Sequence, residues 1–400
     1  MNGRRVAIKF YFPHMATGEV EKNLLKLIGM PAPDDHFAWP EVLVRAKKAP
    51  GFGYVMKLRP PGMMSIQDVV NRKAKVSFRV ICRTLRLLAH TFCKLHAEGL
   101  CYMDMSYGNI FFDATGDVFI CDNDNVTVDG NENPIILGTM NFMAPEVVTG
   151  KALPSVYTDL FSLAIIMFRL LIINHPLLGA AEARIHCMDE HAQELLLGKN
   201  PVFIFDPVND SNRPVPGEHD NALLFWPVFP RFVKRLFVRS FTDGIKDPKN
   251  GRVRENEWRS AMVQLEDSIF YCQCGAENFY DGERLAGPKG KLHACWACKR
   301  EVGLPARMRL KHSIIMLNHD TKLYPHHLDE GKIYDFSAPL AEMTKHPSTP
   351  GLWGLKNLSG NAWKATQANG AVQDVPAGRA VSLDGVVSIN FGSMTGEIKA

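Results

Sequence analysis

Six short motifs follow one another in a single order, and that order constrains the fold more than any other feature of the chain. Val6-Ala-Ile-Lys9 lies in a strand-like run. Glu21 opens the amphipathic helical pattern Glu21-Lys-Asn-Leu-Leu-Lys-Leu-Ile28. Leu95 to Asn109 carries Tyr102-Met-Asp104 and, five residues on, Asn109. Val118-Phe-Ile-Cys-Asp122-Asn-Asp124 follows, then Gly138-Thr-Met-Asn-Phe-Met-Ala-Pro-Glu146, then Thr158-Asp159-Leu-Phe-Ser162. Each motif alone is weak. A lone Val-Ala-Ile-Lys is an ordinary strand, and Asp122-Asn-Asp-Asn125 alone is an Asx-rich turn. A calcium loop counted from Asp122 would need Gly at position 6 and Glu at position 12, where Thr127 and Asn133 stand.

The rest of the chain bounds the classes open to it. Its 400 residues are 46% hydrophobic and 22% charged, enough for two or three soluble domains with their own cores. A net charge of +4 with no dense Lys/Arg run argues against a nucleic-acid partner. The most apolar run, Leu160–Ile173, carries Arg169 and is too short to span a bilayer, so it reads as a buried helix and no membrane partner is expected. No targeting segment is expected at the start, and an odd count of nine cysteines points to free thiols in a reducing cytoplasm.

The six motifs together resemble the protein kinase signature set. The resemblance covers about residues 5–265 and implies an α+β, two-lobed kinase-like fold, with a partial N-lobe at 1–60 and a C-lobe at 61–268. It implies that Lys9 contacts the α- and β-phosphates of ATP, that Glu21 holds Lys9 through an ion pair, and that Asn109 and Asp122 hold Mg²⁺ or Mn²⁺. Asp104 takes the place of the catalytic-loop carboxylate. Arg252 matches the arginine that pairs with the glutamate of Ala144-Pro-Glu146, and Asp159 matches the family's buried helix aspartate. Met56, Lys57 and Leu58 align with the interlobe hinge, with Met56 as gatekeeper and Lys57–Arg59 along the adenine edge.

The departures from that pattern are specific. Lys9 stands eight residues from the start, so the N-lobe is expected to be truncated and to lack the glycine-rich loop. His-Arg-Asp reads Tyr102-Met-Asp104, without the arginine that meets a phosphorylated activation loop. Ser106 replaces a lysine, and Asp-Phe-Gly becomes Asp122-Asn-Asp124. Asp124 could add a second metal ligand or cap a turn. Between Asp122 and Ala144 the only hydroxyls are Thr127 and Thr139.

Cys272-Gln-Cys274 and Cys295-Trp-Ala-Cys298 are two thiolate pairs parted by 20 residues, the pattern of a four-cysteine zinc ribbon at 269–303 with structural Zn²⁺. Residues 304–400 alternate in short runs parted by Gly, Asn and Pro, an all-β pattern that reads as a small sandwich. Gly354 to Ser359, Asn361-Ala-Trp363, Val375-Pro-Ala-Gly378 and Ile389-Asn-Phe-Gly392 resemble the back half of a forkhead-associated domain, a phosphothreonine-binding fold. His326-His327 could touch an anion.

Over nearly its full length the chain resembles a bacterial kinase-like family encoded beside tellurite-resistance-type von Willebrand A proteins and metal-dependent Ser/Thr phosphatases. The residues that carry this are Ile120 to Asn125, Gly138 to Glu146, Pro201-Val-Phe-Ile-Phe-Asp206 with Ser211-Asn-Arg-Pro214, and Cys272 to Phe279. The reading is thus an ATP- and Mg²⁺-dependent protein Ser/Thr kinase, a cytoplasmic signalling enzyme with a protein substrate. Its rivals are a pseudokinase scaffold, which Met103 and Ser106 favour, and transfer of AMP instead of phosphate. Retention of Lys9, Glu21, Asp104, Asn109 and Asp122 favours the enzyme.

Overall fold

A computed structural model describes residues 3–47, 50–286, 292–346, 348–349 and 351–399. The chain divides into two compact units, Met1–Val263 and Gln264–Ala400.

The first unit opens with a three-stranded antiparallel sheet. Strand β1 (Val6–Phe10) pairs with β3 (Gly53–Lys57), which pairs in turn with β2 (Val42–Val44). The register places Lys9 opposite Tyr54 and Phe10 opposite Gly53. A Cβ at residue 53 would collide with the Lys9 carbonyl, so glycine is what lets β1 and β3 approach. Helix α1 (Gly18–Ile28) is capped by the Thr17 hydroxyl, which accepts from the Val20 amide at 3.3 Å. Its Leu24 packs with Tyr11, Phe52 and Tyr54 in a small core. Met56 lies half-buried against that core, and Lys57 Nζ donates to the Asp35 carbonyl at 2.9 Å. The other face of β1 is open: Ile8 and Phe10 are 60% and 38% exposed.

The helical part is built on two long helices, α2 (Phe78–Ala97) and α3 (Val156–Ile172). Helix α2 buries Ile81, Leu85, Leu88, Phe92 and Leu95, the expected helical spacing. Helix α3 is the apolar run singled out in the sequence. Ser155 and Thr158 form a capping box at its start, and nearly its whole length is buried. Between them in sequence a short hairpin, β4 (Ile110–Phe112) with β5 (Val118–Ile120), carries Asn109 just before its first strand and Asp122 just after its second, at one end. No helix among the described residues is long and apolar enough to cross a membrane.

In the second unit, β6 (Ile269–Tyr271) and β7 (Glu277–Phe279) form a two-stranded hairpin around the first cysteine pair. After it come two antiparallel sheets. Six strands run in the order 314–316, 307–309, 395–399, 386–390, 363–367, 372–375, and four in the order 322–323, 341–345, 353–357, 380–382. Residues of both sheets, among them Met308, Leu355, Trp363 and Ile389, share one core. Asn318 Nδ2 donates to the Ile269 carbonyl at 2.6 Å, and the Tyr271 hydroxyl donates to Asp320 at 2.7 Å. The hairpin with the first cysteine pair and the two sheets therefore lie together in this unit.

Candidate functional site

Asp159, almost fully buried at the start of α3, organises the loop that carries Asp104. Its carboxylate accepts from the Tyr102 amide at 2.5 Å and the Met103 amide at 3.2 Å. Met103 sits at φ +66°, a left-handed conformation that costs an unbranched side chain roughly 1–2 kcal/mol, and those two bonds hold it there. His96 sits between Asp159, at 3.2 Å, and Glu255. Burial opposes its charge, but the two carboxylates outweigh burial and push its pKa up to about 9.

Tyr102 stands where the kinase pattern has histidine. The ring is buried against Phe92, and its hydroxyl donates to the carbonyl of Cys121, next to Asp122. The Cys121 amide donates to the Asn109 carbonyl at 2.8 Å. The loop of Asp104 and the turn of Asp122 are thereby tied together through backbone.

Asp104 accepts from the Thr139 hydroxyl at 2.6 Å through Oδ1. Asn109, buried, donates from Nδ2 to the Asp104 carbonyl at 2.8 Å, with Asp104 Oδ2 at 3.4 Å. That use of Nδ2 leaves the amide oxygen of Asn109 as an acceptor. Thr127, the other hydroxyl of this segment, is buried and accepts from Asn131. Asp122 takes φ +53° at the turn after β5, and its side chain is 38% exposed. Asp122 and Asn109 offer hard oxygen donors that fit Mg²⁺ or Mn²⁺.

Lys9 reaches this turn from β1. Its ammonium lies 3.1 Å from Asp122 Oδ1 and 3.0 Å from Asp124 Oδ1. Burial works against the charge, but the two carboxylates prevail and its pKa is raised. Glu21 corrects the expectation: it is not the partner of Lys9. It pairs with Arg45, which extends from the end of β2. Helix α1 meets the turn through Asn23 instead, whose Nδ2 donates to the carbonyls of Asp124 at 3.2 Å and Val126 at 3.1 Å.

Tyr11, Tyr54 and Asn23 lie outside the kinase motifs, and Asp124, expected as a second metal ligand or a turn cap, joins them here. The signal was nonetheless present in strand geometry: Tyr11 is two residues from Lys9 on the same face, and Tyr54 is its cross-strand neighbour. Further from the turn, Arg252 Nη2 lies 2.8 Å from Glu146 and its other nitrogens donate to the carbonyls of Gly244 and Tyr157. The described ion pair is the one expected from the Ala-Pro-Glu motif.

A second cluster lies in the second unit. The four sulfurs of Cys272, Cys274, Cys295 and Cys298 are all within 4.8 Å of one another. Cys272–Cys298 and Cys274–Cys295 are 3.6 and 3.7 Å apart. Four thiolates at about 2.3 Å from a tetrahedral zinc would be spaced by about 3.8 Å, so the donor set fits that ion. Gly275, at φ +85°, closes the first knuckle as its amide donates to the Cys272 carbonyl. Asn278 donates to the Cys295 sulfur at 3.6 Å. Arg300 holds the Cys298 thiol down, to about 6, by backbone and then side-chain hydrogen bonds. His326 and His327 serve the fold: each accepts a backbone amide, from Tyr334 and Tyr324, and His327 faces Asp267 at 3.3 Å.

Comparison with known proteins comes down on the same region. Residues 54–214 match the protein kinase domain family. The probable serine/threonine-protein kinase CCRP1 of Zea mays is 30% identical over 116 residues, 28% of this chain and 18% of the relative. The cell cycle serine/threonine-protein kinase CDC5/MSD2 of Saccharomyces cerevisiae is 34% identical over 103 residues, 24% of this chain and 15% of the relative. A CDC5 homolog of Encephalitozoon cuniculi is 30% identical over 112 residues, 27% of this chain and 24% of the relative. The chain thus matches less than a quarter of the length of these relatives. The matched segment includes Asp104, Asn109, Asp122, Glu146 and Asp159, while Lys9 and Glu21 lie before it. Residues 54–214 are thus similar to the protein kinase domain, and the relatives that share sequence with this chain are serine/threonine-protein kinases.

Proposed function

We propose that the first unit transfers the γ-phosphoryl group of ATP to a serine or threonine hydroxyl of a protein. The observation that carries this reading is the position of Asp104. Its carboxylate accepts from Thr139 and its backbone carbonyl from Asn109, on a loop anchored to Asp159 and joined through Cys121 to the turn that bears Asp122. Asp104 would orient the acceptor hydroxyl and take its proton at a carboxylate oxygen as the new O–P bond forms and the bond from the γ-phosphorus to the β,γ-bridging oxygen breaks, releasing ADP. Asn109 and Asp122 would hold Mg²⁺, which supplies charge neutralisation between the phosphates when bound. Lys9 would bind phosphate oxygens from β1, with Met56, Lys57 and Leu58 at the adenine side. The absence of an Arg at 103 and the use of Thr127 and Thr139 within the fold favour activity without a phosphorylated activation loop.

The four cysteines would hold a structural Zn²⁺ as a closed, four-sulfur site, leaving no position for substrate. With the two sheets that follow, they would form a ribbon and a forkhead-associated-like sandwich that recruit partners. The full-length resemblance suggests a von Willebrand A-type protein and a Ser/Thr phosphatase as those partners, in a bacterial cytoplasmic signalling module.

The test is incubation of the full chain with ATP, Mg²⁺ and a degenerate mixture of Ser-, Thr- and Tyr-containing peptides, read by mass spectrometry. A phosphate-sized increment on Ser or Thr peptides, lost in Asp104→Asn, is expected. Equal modification by the variant, or none by a chain that binds ATP, would overturn the proposal.

A further inference from the structure

We infer that Asp124, clamped by Tyr11 and Tyr54, positions Lys9 in this site, in place of Glu21. The inference rests on the nucleotide-binding role proposed for Lys9.

Asp124 is buried: its side chain is 7% exposed, against 38% for Asp122. Its Oδ1 receives Lys9 at 3.0 Å and the Tyr54 hydroxyl at 2.7 Å, and its Oδ2 receives the Tyr11 hydroxyl at 2.6 Å. A carboxylate has about four acceptor positions, so three are used by Lys9, Tyr11 and Tyr54. That occupancy argues against Asp124 as a second metal ligand, and its partners are side chains distant in sequence, which a simple turn cap would not need. Charge-assisted bonds of this length are the strong kind, and a buried carboxylate held by three donors has little freedom to rotate.

The arrangement follows from the sheet. Lys9 and Tyr54 are directly opposed, and Tyr11 follows Lys9 by two residues, so all three point to the face that meets the turn. Asn23 anchors the turn's backbone from α1 through the Asp124 and Val126 carbonyls. Glu21 precedes Asn23 by two residues, about 200° around the helix, and is engaged by Arg45. A cation bound by Asp122 would draw that carboxylate away from Lys9. Asp124 would then remain as the anion that holds the ammonium.

The experiment measures MgATP affinity and phosphoryl transfer for the full chain and four variants: Asp124→Asn, Glu21→Gln, Lys9→Met and the double variant Lys9→Met/Asp124→Asn. Asp124→Asn should weaken MgATP binding at least tenfold, and Glu21→Gln by less than twofold. In the Lys9→Met background, Asp124→Asn should cost no more than a further twofold, a coupling that a merely structural role would not give. If Asp124→Asn does not fold, Tyr54→Phe carries the same comparison, with an expected loss of threefold or more that vanishes in the Lys9→Met background. A tenfold loss in Glu21→Gln with Asp124→Asn near wild type would overturn the inference, as would additive losses in the double variant. If the affinity pattern holds but no phosphate is transferred, the kinase reading fails and the positioning of Lys9 stands. A wild-type chain that binds no nucleotide would overturn both.

Discussion

The hydrogen bond from Thr139 to Asp104 ties the activation segment to the proposed catalytic carboxylate, and it has a measurable consequence. Thr139→Val keeps the shape and removes the donor. Loss of one such bond to a charged acceptor is worth about 1.5 kcal/mol, so kcat should fall about tenfold. The KM for ATP should stay within twofold, since Thr139 does not touch the Lys9 cluster; steady-state kinetics at saturating ATP checks both. Asp122→Asn should act in the opposite way. It keeps a polar group at the left-handed turn but weakens the metal site, so Mg²⁺-dependent ATP binding should drop at least tenfold by titration calorimetry while the melting temperature holds. Unchanged binding would remove Asp122 from the metal site.

At the scale of elements, two buried ionic contacts pin α2 and α3 to their surroundings. His96 on α2 is charged in the folded state, with a pKa near 9 against an ordinary 6.5, held by Asp159 and Glu255. The folded pKa is the higher one, so this stabilisation is complete below about pH 6.5 and is lost as pH rises through about 9. The whole effect is on the order of 3 kcal/mol at most. Urea midpoints between pH 6 and 10 should therefore fall with pH in the wild type, and that slope should flatten in His96→Gln. Arg252 with Glu146 is the second contact. Removing one partner leaves a buried charge, so Arg252→Met should destabilise the first unit by about 3–5 kcal/mol. Equilibrium denaturation reads this, and a loss below about 1 kcal/mol would show that the pair is not the anchor described. These contacts were legible in sequence to different degrees. The Glu146–Arg252 pair and Asp159 came from fixed motif positions. Motif spacing puts Glu21 on the right helix but does not say which way that helix is turned, and it carries no sign of Arg45 as a competing partner. Asp-Asn-Asp is also what an ordinary turn looks like, so the motif leaves Asp124 open between a metal ligand and a turn cap and does not point to the tyrosines that hold it.

For the whole molecule, spacing carried the cysteine cluster well, because ligands on two tight knuckles are a local property of sequence. It does not show that residues 269–303 and 304–400 share one unit: contacts such as Asn318 to Ile269 are long-range and leave no periodic trace. If the cluster holds zinc, the purified chain should contain about one equivalent by elemental analysis. Chelation or Cys295→Ser should raise amide hydrogen exchange across 268–300, with peptides from α2 and α3 unchanged. A folded, metal-free chain with the same protection would refute the site. The central claim is that Asp104 directs transfer of a phosphoryl group and not of a nucleotide. The most direct measurement gives the full chain Mg²⁺ and ATP labelled at either the γ- or the α-phosphate, together with acceptor protein, and counts protein-bound label. Incorporation is expected from γ-labelled ATP alone, on serine or threonine, lost in Asp104→Asn; incorporation of the α-label, or γ-label transfer that survives Asp104→Asn, would contradict the proposed role of Asp104.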